Sequence, residues 1–339
     1  MEVEEKRYFL GLDGGGTKTH GAIYDRLRGE IFLIVGGPTN HEVLENGLEA
    51  LPEVLKNLLD RLLCEAGIKM DNLSAAAFGI GGVDTPMQHD IIAGMIKNLG
   101  IGSFVLSNDS YLGIKTECSE GYGISAVNGS GYSVTGINHN GEMLQIGGHG
   151  QMTGDKGGGC YLVPAAISRV YGELYKQGPR TQMTDRLLEL LSIKEKEMLC
   201  QAVALRIIKD APSFYKSVSR ILYRSAAEGD KEALSILEES GKDYACTIKC
   251  IAQELQIPRP VPVVLVGSQF TRCEFPYAIQ VLKRELDHEN YQVKTISTLP
   301  VAGAIIWALE TAGIHVSTEE RMEIHKLLNG QCKEGDVHE

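Results

Sequence analysis

One pattern is written twice in this chain, and it restricts the fold more than any other feature. Residues 8–25 read YFLGLDGGGTKTHGAIYD, and residues 122–137 read YGISAVNGSGYSVTGI. Each is an apolar stretch of strand character, a Gly-rich turn containing a hydroxyl residue, and a second apolar stretch. A further turn and strand follow in both places, GEIFLIVGG after the first and GEMLQIGG after the second. Repetition of this kind predicts two similar units. Two such turns facing each other across a cleft would surround a polyphosphate with backbone N–H donors.

The chemistry of the turns agrees with an anion site. Gly14, Gly15 and Gly16 lack a Cβ, so the backbone there can take positive φ and approach an oxygen-rich ligand closely. Successive N–H groups in such a turn form an anion-binding concavity. Gly129 and Gly131 repeat this in the second turn, Thr17 and Ser130 add hydroxyls, and Lys18 adds a charge. Asp13 ends the first strand at the same place. A carboxylate beside a phosphate site makes sense chiefly with Mg²⁺ between them, held partly through water. Taken singly, either turn is also an ordinary hairpin signal. The P-loop pattern is excluded: counting from Gly11 puts Gly16 then Thr17, so Lys18 falls one place late, and the segment continues as a strand. GxGxxG fails as well, because a Thr stands where the last Gly is needed.

A length of 339 residues suffices for two domains with sizeable cores. The net charge of −11 argues against nucleic acid or an anionic membrane as the main partner. It leaves ATP open, since backbone N–H groups and Mg²⁺ can bind it. The acidic N-terminus lacks a signal-peptide core, and no apolar run reaches transmembrane length. The eight Cys show no CxxC and no zinc-type spacing with His. They are expected to be reduced thiols in a cytoplasmic protein. Cys246 and Cys250, four apart on an expected helix, are read as buried on one face.

Along the first half, strands are expected near 7–13, 19–25 and 30–36, then a helix over 41–66, a strand at 73–82, a helix at 86–99, a strand at 104–109 and a short helix. The second half repeats the order, with strands near 122–127, 132–138 and 142–147, a helical block over 156–256, a strand at 260–268, a helix at 274–288, a strand at 291–297 and a helix at 300–313. Both halves therefore read β-β-β-α-β-α-β-α. The boundary is set near 117–121, giving domains 1–117 and 118–317, with a last helix at 318–329 able to join the first domain. The polar tail GQCKEGDVHE is expected to be mobile.

With this tandem order the chain resembles the actin-like ATPase superfamily of sugar kinases, actin and Hsp70 chaperones. More narrowly it resembles the N-acetylglucosamine kinase branch, grouped with the BadF/BadG/BcrA/BcrD-type ATPases. The resemblance covers nearly the whole chain. It rests on LGLDGGGTKT, PTNH at 38–41, GIGGVD at 79–84, SNDS at 107–110, VNGSGY at 127–132 with GGHGQMTGDKGGG at 147–159, and LVGSQF at 265–270. It implies an α/β fold of two RNase H-like domains around an interdomain nucleotide cleft. It also implies ATP and Mg²⁺ as cofactors and phosphorylation of a hexosamine, N-acetylglucosamine or a relative, on a primary hydroxyl.

By that resemblance Asp109 is the catalytic base, the group that takes the proton of the attacking hydroxyl; by itself an Asp before a helix is commonly an N-cap. Asp13 organises the metal, and Gly14 to Lys18 with Gly129, Ser130 and Gly131 hold phosphates. Gly267 and Ser268 match the adenosine turn, with Ala302 and Gly303 on the same side or simply in close helix packing. Asn40, His41, Gly81, Asp109, Gly147, Gly148, His149 and Asp155 match the sugar side; Asp155 can equally be a helix N-cap. His149 replaces a common Trp, and Lys156 stands where the eukaryotic kinases carry an acid, which leaves the sugar's identity open. The resemblance also admits a homodimer. Two other readings stand beside the kinase. One is an ATPase that activates a CoA-ester reductase through an iron–sulfur cluster, for which Cys118 and Cys160 are the candidate ligands. The other is a sugar sensor without turnover.

Overall fold

The structure, a computed structural model, describes residues 6–335. It begins with strands β1 (Tyr8–Gly14), β2 (Thr19–Asp25) and β3 (Glu30–Gly36), helix α1 (Leu51–Ala66), β4 (Leu73–Ile80), α2 (Pro86–Asn98), β5 (Phe104–Ser107) and α3 (Leu112–Glu117). Next come β6 (Gly123–Asn128), β7 (Tyr132–Ile137) and β8 (Met143–Ile146), then a helical block of α4 (Gly158–Lys176), α5 (Gln182–Leu191), α6 (Leu199–Ala227) and α7 (Lys231–Glu254). The chain closes with β9 (Val261–Val266), α8 (Ser268–Thr271), α9 (Tyr277–Glu285), β10 (Tyr291–Thr295), α10 (Val301–Thr311) and α11 (Thr318–Gly335).

The strands form two sheets of five, ordered β3-β2-β1-β4-β5 and β10-β9-β6-β7-β8. In each, the first three strands are antiparallel and the last two join in parallel. The two halves thus share one topology, as the repeated motif predicts.

Alternation along the strands decides which face meets which helix. Leu10 and Leu12 of β1, with Ala76, Phe78 and Ile80 of β4, pack under α1. The opposite face, with Phe9, Ala75 and Ala77, packs against α10. A Cβ on Gly11 would lie 2.7 Å from the Ile305 nitrogen, so α10 rests directly on β1. On the second sheet, Ile124, Ala126, Val263 and Leu265 pack against α7. Val264 and Val266 instead meet Tyr111, Ile114 and Cys118 in and beside α3.

Each half therefore lends its last helix to the space between the sheets. In the packing α10 belongs with the first core, while α3 lies between the two, Leu112 in the first core and Ile114 against the second sheet. Where the two helices cross, a Cβ on Gly303 would sit 2.2 Å from the Leu112 carbonyl oxygen. Helix α11 packs on α10 and β3, which unites it with the first sheet.

Several expected elements differ. The helix of 41–66 starts only at Leu51, after two short 3-10 turns, because Pro52 suits a first turn and Gly47 has φ +55°. The strand expected to 109 ends at Ser107, and the helix expected at 274–288 shortens to α9. Cys246 and Cys250 are exposed, not buried: the buried stripe of α7 runs instead through Tyr244, Ala245, Ile248, Ile251 and Ala252. Residues 330–335 of the expected tail continue α11, and 336–339 lie outside the described residues. Among the described residues, no helix is long and apolar enough to cross a membrane.

Candidate active site

At the end of β1 the chain folds back on itself, with the Gly15 N–H donating to the Lys18 carbonyl at 3.1 Å. The carbonyls of the turn are held from behind. Gly81 N–H donates to Gly14 O at 2.7 Å, and Thr39 and Asn40 N–H both donate to Gly15 O. Gly14 is obligatory, since a Cβ there would fall 2.0 Å from the Thr39 hydroxyl, which itself meets Thr19 Oγ1 at 3.0 Å. With the carbonyls occupied, the N–H groups of Gly16 and Thr17 have no acceptor among the described residues. Both residues, with Lys18, are exposed.

The second turn repeats this arrangement. Gly129 N–H donates to Gly131 O, while the first residues of α4 bind the turn's carbonyls: Gly159 N–H to Gly129 O at 2.9 Å and Cys160 N–H to Ser130 O at 3.0 Å. Gly158 N–H donates to Asn128 Oδ1 at 2.7 Å. The N–H groups of Ser130 and Gly131 are again left without an acceptor among the described residues. Asn128 Nδ2 is buried and unpartnered, an orphaned donor at the base of the turn. Gly267, at φ +94°, presses on this turn from behind; a Cβ there would lie 2.5 Å from the Asn128 carbonyl oxygen. Ser268 is exposed at the start of α8.

Asp13 and Asp109 provide the carboxylates. In β1–β2 register Asp13 lies opposite His20, whose Nδ1 is 3.5 Å from Asp13 Oδ2. After β5, Asn108 caps a 3-10 turn formed by Asp109–Tyr111, accepting from Ser110 N at 3.0 Å. The cap is thus Asn108, and Asp109 is freed from that duty. Burial first, then the charges of Asp13 and Asp84, push the Asp109 carboxyl up to about 7.

Of the residues that the resemblance assigns to a sugar, Asn40 and His41 meet at Gly82. Asn40 caps the 3-10 turn at 41–43, accepting from Glu42 N at 2.8 Å. A Cβ on Gly82, which has φ +82°, would lie 2.5 Å from Asn40 Oδ1 and 2.9 Å from the His41 ring. His41 Nδ1 is buried without a partner. Across from them, Gly147 and Gly148 take φ of +80° and +103°. Asp155 is fully engaged: Oδ2 accepts from Gly148 and Gly150 N–H at 3.0 and 2.9 Å, and Oδ1 from the Thr153 hydroxyl. It shapes the 147–154 loop and does not cap α4, whose N-cap is Gly157. His149 is exposed. Lys156 is drawn aside to Glu239 at 3.3 Å.

Ala302 and Gly303 are spent on packing α10 against the first sheet and α3. Cys118 is buried at the end of α3, with burial raising its thiol to about 11, whereas Cys160 is exposed on α4. Among the described residues there is no group of three or more His, Cys, Asp or Glu fit to hold a metal. The structure adds participants that sequence reasoning passed over. Asp84 and Asn108 lay inside quoted motifs, and Thr39 adjoined Asn40. Gln145, which donates to Asp84 at 2.6 Å, carried no local signal.

The chain is similar to known sugar kinases over most of its length. A curated relative of Clostridium acetobutylicum, named N-acetylmuramic acid/N-acetylglucosamine kinase, is 26% identical over 292 residues, covering 86% of this chain and 94% of the relative. The N-acetyl-D-glucosamine kinase of Dictyostelium discoideum is 22% identical over 319 residues, covering 90% and 99%. Among solved structures, a candidate N-acetylglucosamine kinase of Chromobacterium violaceum superposes with a TM-score of 0.66 at 22% identity, covering 88% of this chain and 98% of that one. A ROK family glucokinase from Streptomyces griseus gives 0.52 at 14%, covering 89% and 98%. These likenesses establish a shared two-sheet fold. The BadF/BadG/BcrA/BcrD ATPase family pattern matches residues 10–308, and the chain belongs to that family.

Proposed function

We propose that this protein transfers the γ-phosphoryl group of ATP to the primary hydroxyl of an amino sugar, N-acetylglucosamine or a close relative. The observation that carries this reading is Asp109, a partly buried carboxyl raised to about 7 by burial and by Asp13 and Asp84. A base poised near neutrality can take the proton of a sugar hydroxyl as that oxygen attacks phosphorus. The names of the two curated relatives supply the substrate class.

Phosphoryl transfer needs positioning and charge neutralisation more than covalent chemistry. The unclaimed N–H groups of Gly16, Thr17, Ser130 and Gly131 would hold phosphate oxygens, with Asn128 Nδ2 behind them as a further donor. The Gly267 turn, packed on the second of these, would carry the nucleoside side. Asp13, partly exposed and with one nitrogen neighbour, fits a Mg²⁺ ion held mainly by water and phosphate oxygens. That ion would neutralise charge on the phosphates. Asn40, His41, Gly81, Gly147, Gly148 and His149 would face the sugar, while Asp155 fixes their loop.

The test is ADP release with MgATP across glucosamine, N-acetylglucosamine, N-acetylmuramic acid, N-acetylmannosamine and glucose, with Asp109→Asn alongside. Sugar-dependent release that collapses in the variant is expected. Hydrolysis unaffected by any sugar, and equal in the variant, would refute the kinase.

A further inference from the structure

Between the sugar side and the base lies a carboxylate to which none of the family-derived roles falls. Asp84 sits in the loop that follows β4, just ahead of α2. Its own N–H donates to Gln88 Oε1, which also accepts from Thr85 in the capping box of that helix. The Asp84 side chain is therefore presented from a fixed loop. One oxygen, Oδ1, accepts two amide donors at once: Asn108 Nδ2 at 2.9 Å and Gln145 Nε2 at 2.6 Å.

The two donors come from different halves. Asn108 is buried in the first half, and its other amide atom, Oδ1, caps the turn that carries Asp109. Gln145 lies on β8 of the second sheet, two residues before Gly147. A Cβ on Gly148 would also come within 3.4 Å of Asp84 Oδ1. A continuous chain of contacts thus runs from the sugar loop of the second half, through Asp84, to the backbone turn of the base. Ser133 of β7, donating to Ser110 Oγ at 3.3 Å, provides a parallel link to the same turn.

We propose that Asp84 is a positioning residue that ties the approach of the two halves to the orientation of Asp109, with Gln145 acting on the base only through Asp84. A hydrogen bond to a charged acceptor orients its donor strongly. With Gln145 in place, the carboxylate is held where it also fixes the Asn108 amide, and hence the Asp109 turn. If the halves separate, Gln145 leaves and one restraint on Asp109 is lost. This rests on Asp109 being the base.

The experiment is a double-mutant cycle, with Asp84→Ala, Gln145→Ala and their combination assayed for kcat and for KM of both ATP and sugar. Loss of hydrogen bonds to a charged group predicts a fall in kcat of about 10- to 100-fold for Asp84→Ala. Gln145→Ala should lower kcat less, and the double variant should match Asp84→Ala. KM for ATP should stay unchanged throughout. Asp84→Asn, which keeps an oxygen acceptor for both amides, should recover most of the loss, whereas Asp84→Leu, which fills the space without an acceptor, should not. Should Asp84→Ala fail to fold, Asp84→Ser, whose short side chain withdraws the acceptor, takes its place alone and combined with Gln145→Ala. Additive effects, a parent-like kcat in Asp84→Ala, or no rescue by Asp84→Asn would overturn the bridge. A parent enzyme with no sugar-dependent turnover would instead refute the kinase reading, and the bridge with it.

Discussion

Removing the charge of Asp109 should stabilise the protein while abolishing turnover, and the size of the effect follows from its surroundings. In an unfolded chain its carboxyl ionises at an ordinary value of 3.8; in the folded state burial, Asp13 and Asp84 raise it to about 7. Below pH 4 both states are protonated and nothing is lost. Between 4 and 7 the folded state keeps a proton that the unfolded state has released, so stability falls as pH rises, and above 7 the loss is constant. A gap of about three pH units at 1.36 kcal/mol each sets an upper limit of about 4 kcal/mol. Partial exposure of Asp109 reduces the expected gain for Asp109→Asn to about 1–2 kcal/mol at pH 8. At this chain length that is a rise in Tm of about 1–3 °C. The assay is thermal unfolding of parent and variant without ligands, at pH 8 and at pH 5. The gain should be full at pH 8 and about a third as large at pH 5. An Asp109→Asn variant no more stable than the parent at pH 8, or equally stabilised at both values, would refute the electrostatic account of the site.

Three further outcomes are expected. In the active parent, kcat/KM for the sugar should rise with pH through an acid limb near 7, and Asp84→Asn should move that limb to lower pH by removing a neighbouring negative charge; an unmoved limb counts against Asp109 as the titrating base. Gly267→Ala would force a Cβ against the Asn128 carbonyl at positive φ, costing about 1–3 kcal/mol of stability and raising KM for ATP more than KM for sugar. Equal changes in both constants would show that this turn does not serve the nucleotide. Trp307, the single tryptophan, lies on α10 with Lys115 of α3 over its ring at 5.2 Å, so closure that shifts one helix against the other should change its emission saturably with ligand. Emission unaffected by sugar and nucleotide together would mean that the halves do not move at this crossing.

Much of this protein was legible in its residues alone. The duplicated strand–turn–strand pattern, the period of two in the strands and the glycines at both turns are local properties, and local sterics determine them. They were enough to predict two sheets of one topology, a Gly-rich turn after the first strand of each half, and Asp13 at a strand end; Asp109 was expected to end a strand and instead begins a 3-10 turn two residues past β5. The limits lie where the outcome depends on partners remote in sequence. Nothing near residues 112–117 or 301–311 says that each helix packs on the other half's sheet; that follows from small residues such as Gly11, Gly113 and Gly303, whose missing side chains make room only once the sheets face each other. Cys246 and Cys250 share a helix face, but tertiary packing chose a different stripe of α7 to bury. The helix-cap alternative for Asp155 fails because the fold of the 147–154 loop brings three donors to it. Gln145 reaches Asp84 only because β8 ends beside a loop 61 residues earlier in the chain. Sequence determined the pieces and their chemistry through short-range sterics and periodicity. Tertiary structure decided which carboxylates share a site, because burial and proximity across the two halves exist only after the chain has closed.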